Sequence, residues 1–75
     1  MREKVIEALS EMSHIPADQI KEESRLGGDL GLSSIQLLEM LTILEDEFHV
    51  KIDDRKIPDI QVVSDVIRMI EELQH

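Results

Sequence analysis

Few residues in this 75-residue sequence are arranged to do chemistry. Catalysis needs a nucleophile, a base or a metal in a recognisable pattern. The sequence contains no glycine-flanked nucleophile elbow, no phosphate-cradling loop and no HExxH pair. His14, His49 and His75 are dispersed and read as surface or loop residues. Asp53-Asp54 lacks the alternating oxygen ligands and glycine of a calcium loop. With no cysteine, neither a disulfide nor a thiolate metal site can form. What remains is Asp29-Leu30-Gly31-Leu32-Ser33-Ser34-Ile35, a glycine-containing turn that delivers two serines to the start of a periodic apolar segment. A serine there has two chemical uses. Its oxygen can accept a hydrogen bond from the unpaired amides of a helix's first turn. Alternatively, a phosphoryl group carried on it would lie near those amides and the positive end of the helix dipole.

Three helical stretches have to position that turn. In the first, Arg2 to about Ser13, Val5, Ile6, Leu9 and Met12 recur at helical spacing opposite Glu3, Lys4, Glu7 and Glu11. Pro16 ends it, and a long loop follows to Ser33, with Ile20, Leu26, Leu30 and Leu32 as anchors onto the core. Gly27, Gly28 and Gly31 all fall in this loop. The second helix starts at Ser33 or Ser34 and runs to about Phe48 or His49. Its inward stripe is read as Ile35, Leu38, Leu41, Leu44 and Phe48, flanked by Leu37, which leaves Met40 off the stripe as an exposed contact. Val50 and Ile52 have no partner strand, and Asp53 to Ile60, with Pro58, is long enough for one short helix. In the last helix, Val62 to Leu73, Val63, Val66, Ile67, Ile70 and Leu73 face inward and Met69 reads as core; the cap rule favours a start at Ser64 and the apolar pattern one at Val62. The expected fold is all-α: a small bundle of three main helices plus one short helix in a single domain, 1–75, with an aliphatic core because Phe48 is the only aromatic residue.

Eight basic against 17 acidic side chains leave a net charge of −9. That balance argues against nucleic acid and anionic membranes and implies basic protein partners. No apolar run reaches the roughly 18 residues of a membrane span and no basic leader opens the chain, so a cytoplasmic location is expected. Residues 33–50 hold no Lys or Arg and four acids, Glu39, Glu45, Asp46 and Glu47. Three of these crowd the C-terminal end of the helix, where the dipole disfavours them by a few tenths of a kcal/mol each. The charge is either a solvated face that maintains solubility or a recognition surface.

These residues resemble the acyl carrier protein family, the phosphopantetheine-bearing carriers of fatty-acid, polyketide and related assembly lines. The family pattern is Asp-Leu-Gly, any residue, Asp-Ser-Leu, then an acidic helix closing on Glu-Glu-Phe or similar. Here Asp29-Leu30-Gly31-Leu32-Ser33-Ser34-Ile35 is followed by Glu39 and by Leu44-Glu45-Asp46-Glu47-Phe48 without a gap. Ile20 and Leu26 fall where the family anchors its first loop, and Val63 to Ile70 looks like its last helix, so the likeness spans essentially the whole chain.

The resemblance implies that Ser34 is the site of covalent attachment of 4′-phosphopantetheine, donated by coenzyme A through a phosphopantetheinyl transferase. It implies no catalytic residues and no metal: the chain is a carrier and a substrate of other enzymes. The helix after Ser34 becomes the docking surface for acyl-transferring and acyl-processing enzymes with basic patches, with Ile35, Gln36, Glu39, Thr42, Glu45 and Asp46 as contacts. Asp29, Leu30, Gly31 and Ser33 form the turn that presents Ser34. Two positions depart from the pattern: Ser33 stands where aspartate is usual, and Gln36 where an acid is frequent. Both weaken the negative potential beside Ser34. The expectation is therefore a monomeric, specialised carrier of a fatty acyl, polyketide or aminoacyl cargo. The alternative from a different class is an unmodified helical adaptor that binds a basic partner through its acidic helix alone.

Overall fold

In the computed structural model, which describes residues 1–74, three helices account for most of the chain: α1, Arg2–Ser13; α2, Ser34–Phe48; and α3, Val63–Leu73. The expected short helix is a 3₁₀ segment, Asp54–Asp59, and a further 3₁₀ turn, Ala17–Gln19, breaks the long loop after Pro16. No strand forms among the described residues, and an isolated antiparallel pairing joins Arg25 to Val62. His75 lies outside the described residues. No helix among them is long and apolar enough to cross a membrane.

α1 packs against both α2 and α3. It contributes Val5 and Leu9 to the core, whereas Ile6 and Met12, expected inside, are half-buried. From α3 the core takes Val63, Val66, Ile67, Met69 and Ile70. Leu73, placed inward by the pattern, is 40% exposed because it is the last helical residue and no further turn covers it. All four anchors of the long loop are buried: Ile20, Leu26, Leu30 and Leu32.

α2 required the largest correction. Met40, read from the sequence as exposed, is fully buried, and Leu37 is half-buried; Ile35 is 70% and Leu38 49% exposed. The reason is geometric. At about 100° per residue, each three-residue step falls about 60° short of a turn. The run Ile35, Leu38, Leu41, Leu44 therefore winds around the helix, beginning in solvent and ending in the core. The inward arc is Leu37, Met40, Leu41, Leu44 and Phe48.

α1 and α2 both end on a left-handed histidine, His14 at φ 62° and His49 at φ 55°. Glycine is the usual residue at such a cap, because a Cβ disfavours that conformation. Both histidines thus act as helix terminators. The start of α3 is built differently from the capping rule. Val62, at its N-cap position, has no polar side-chain atom, so Asp65 Oδ2 accepts from the amides of Gln61 at 3.0 Å and Val62 at 3.1 Å. The long loop completes the cap, as the amides of Val63 and Ser64 donate to the carbonyls of Ser24 and Glu22 at 3.0 and 2.8 Å. Ser64, one of the two candidate start points, is therefore already inside the helix.

Candidate functional site

The turn before α2 is closed by its own sequence. Asp29 Oδ2 accepts from the Arg25 amide at 2.7 Å, and the Arg25 carbonyl accepts from the amides of Asp29 and Leu30, each at 3.0 Å. The Gly31 amide reaches the Gly27 carbonyl and the Leu32 amide the Leu26 carbonyl, both at 3.0 Å. Gly31 sits at φ 69°, a conformation that a Cβ would strain. Leu30 and Leu32 are buried on either side of it, so the turn is tied down and the chain leaves it directly into α2.

Between the two serines the structure divides the roles. Ser33 is the N-cap: its Oγ accepts from the Gln36 amide at 3.2 Å, while Gln36 Oε1 accepts from the Ser33 amide at 3.0 Å. This reciprocal pair is a capping box. Ser34 is the first helical residue. Its side chain is exposed, and its hydroxyl makes no hydrogen bond to another described residue.

Ser34 opens onto a cleft of about 450 Å³ between the start of α2 and the segment leading into α3. Leu37 extends the α2 wall, Ile60, Gln61 and Val62 form the opposite one, and Arg25 with Gly27 and Gly28 line the loop side. Arg25 and the Ile60–Val62 segment were not among the residues the sequence singled out, because they carry no motif of their own.

Along α2, Ile35, Leu38, Glu39, Thr42 and Asp46 share the solvent face adjoining Ser34. Leu38 joins this face because the winding apolar run carries it out of the core. The other two expected contacts are partly committed elsewhere. Gln36 is half-buried in the capping box. Glu45 is half-buried, and its Oε2 accepts from the Ile52 amide at 2.7 Å, fastening the loop after α2 to the helix. Thr42 donates its hydroxyl to the Leu38 carbonyl at 3.0 Å.

The residues present suit a phosphate-linked group on Ser34. Among the described residues the hydroxyl has no hydrogen-bond partner, a cleft lies beside it, and no carboxylate lines that cleft. Among the described residues no cluster of metal-ligating side chains is found.

Comparisons with known proteins agree with this arrangement. The family described as the phosphopantetheine attachment site matches residues 3–70. An acyl carrier protein of Saccharopolyspora erythraea is 35% identical over 71 residues, covering 95% of this chain and 75% of that protein. One from Wolinella succinogenes is 35% identical over 65 residues, covering 87% of this chain and 86% of its own length. The crystal structure of a Thermotoga maritima acyl carrier protein superposes with a TM-score of 0.81 at 30% identity, over 95% of this chain and 82% of that one. Members of the family are carriers of acyl groups rather than enzymes. With the fold and nearly the full length in agreement, the chain belongs to the acyl carrier protein family, whose shared feature is the attachment site for phosphopantetheine.

Proposed function

We propose that Ser34 is the residue modified with 4′-phosphopantetheine, and that the chain works as a discrete, monomeric acyl carrier in a specialised fatty-acyl, polyketide or aminoacyl pathway. The observation that carries this is the state of Ser34: exposed, unbonded, and held on the first turn of α2 by a neighbour that does the capping. The Ser33 hydroxyl oxygen is already engaged by the Gln36 amide, whereas the Ser34 hydroxyl is available without structural loss. When attached, the arm supplies a thiol that holds acyl groups as thioesters.

The protein's own residues orient and present. Asp29 and Gly31 fix the turn, Ser33 and Gln36 fix the first turn of α2, and Ile35 and Leu38 offer apolar contacts beside Ser34. Glu39 and Asp46 add charge further along the same face for partners with basic patches. Ser33 and Gln36 make the first turn of α2 uncharged; no acidic residue occurs there. That supports a dedicated set of partners, for which apolar fit next to Ser34 counts for more than charge.

Incubation with coenzyme A and a broad-specificity phosphopantetheinyl transferase tests the assignment by intact mass. The expected result is one phosphopantetheine added to the parent chain and none to Ser34→Ala. An unchanged mass in the parent, or an equal gain in the variant, would sink it. Retention of partner binding and biological activity by Ser34→Ala would instead favour the unmodified adaptor.

A further inference from the structure

We propose that Arg25 holds the phosphodiester of the Ser34-linked arm and thereby fixes the direction in which the arm leaves α2; this rests on the assignment of Ser34 above. Arg25 and Ser34 line the same cleft of about 450 Å³. Among the described side chains that line it, Arg25 is the only charged one. In a protein of net charge −9, a cleft whose charged lining side chain is a cation is a local exception.

The arginine is held from several sides. Its amide donates to Asp29 Oδ2 at 2.7 Å, its carbonyl accepts two amides at 3.0 Å, and its backbone forms an isolated antiparallel bridge with Val62. Its stem lies on Gly28, where an added Cβ would stand 3.3 Å from Arg25 Cδ. The other three arginines are engaged in ion pairs: Arg2 with Glu22, Arg55 with Asp53, and Arg68 with Asp65. The guanidinium of Arg25 makes no ion pair or hydrogen bond among the described residues. A planar fork of five donors on a positioned stem is suited to the paired oxygens of a phosphate. A phosphate bonded to Ser34 has its position set, whereas a carboxylate on a cargo would sit at the far end of the arm. Contact with Arg25 therefore forms before any cargo is loaded.

The experiment uses the unacylated, phosphopantetheinylated protein, with loading checked by intact mass, and compares the parent with Arg25→Gln and Arg25→Lys. The readouts are the ³¹P resonance of the phosphodiester and the cross-peaks between the arm's methyl groups and Leu37 and Val62. Arg25→Gln should shift the resonance and lose the cross-peaks, and Arg25→Lys should restore part of both. Full loading with spectra identical to the parent in Arg25→Gln overturns the inference and leaves Ser34 modified. No mass gain in the parent overturns both. A change that appears only when the arm carries a carboxylated cargo assigns Arg25 to the cargo and likewise overturns the phosphate contact.

Discussion

Ser33 and Gln36 cap one another, with the Gln36 amide 3.2 Å from Ser33 Oγ and the Ser33 amide 3.0 Å from Gln36 Oε1. The two positions that depart from the family pattern are thus one structural unit. A neutral pair does the capping that an aspartate would do with charge, so the start of α2 keeps its geometry and loses its negative potential.

Changing Ser33 separates those two effects. Ser33→Ala removes the cap and should lower stability by about 1 kcal/mol in urea unfolding. Ser33→Asp keeps an acceptor and adds a charge at the favourable end of the dipole, for a gain of roughly 0.3–1 kcal/mol at low salt. The same variant should be modified faster by a transferase that docks through basic residues, and the advantage should shrink as salt rises. Equal rates at low and physiological ionic strength would show that charge at this position does not steer docking.

Ser34→Ala should leave the fold as it is. The Ser34 side chain is exposed and bonds to no other described residue, so the change belongs with surface substitutions that fall within about 0.5 kcal/mol. A denaturation midpoint that coincides with the parent, together with loss of the mass gain, would assign the whole effect to attachment chemistry.

On α2, two neighbouring apolar residues should behave oppositely. Met40 is fully buried, so Met40→Ala should cost about 2–5 kcal/mol. Leu38 is 49% exposed on the face beside Ser34, so Leu38→Ala should change stability little and weaken association with carrier-processing enzymes. Thermal unfolding of both variants, paired with titration against one partner enzyme, distinguishes the two roles.

Those two residues also mark how far the sequence could be read. The helix spans and loop anchors followed from apolar spacing and Pro16, and the presenting turn from Asp29, Gly31 and the serines. Which face of α2 looks inward was obscured, because Ile35, Leu38, Leu41 and Leu44 are all apolar while their three-residue steps drift around the helix, and Met40 rather than Leu38 falls on the arc that packs. The cap of α3 was hidden for a related reason. Ser64 obeys the local rule, but Asp65 and the carbonyls of Ser24 and Glu22, brought in from the loop, supply the acceptors instead. The cleft beside Ser34 likewise depends on chain segments that meet only in the folded state.

Glu45 ties the far end of α2 to the loop that follows. Its Oε2 lies 2.7 Å from the part-buried Ile52 amide, and Ile52 itself is in the core. Glu45→Ala leaves that amide without its partner and should cost about 1–3 kcal/mol. Glu45→Gln retains a carbonyl acceptor and should recover most of the loss. If both variants weakened partner binding equally while differing in stability, the charge of Glu45 would belong to docking as well as to the fold.

Acid should act on this protein through Asp65 more than through most of its carboxylates. The amides of Gln61 and Val62, with Arg68 adding charge at 3.8 Å, hold the Asp65 carboxyl below the ordinary range. Asp53 is lowered too, by the side chain and then the amide of Arg55, but its side chain is 39% and that of Arg55 90% exposed, so solvent screening weakens the effect. A depressed folded-state value means that the unfolded chain binds the proton more readily, so stability rises with pH across this window. The Asp65 contribution is complete above the ordinary aspartate value of about 3.9 and is lost as pH falls from there through the lowered one. Asp65→Asn should therefore be less stable than the parent at neutral pH, with the gap closing at the acid end. Urea midpoints from neutral pH downward would test this, because relief of repulsion among the remaining acids is common to both proteins and cancels in the difference. A gap that stayed constant with pH would mean that Asp65 acts through hydrogen-bond geometry alone.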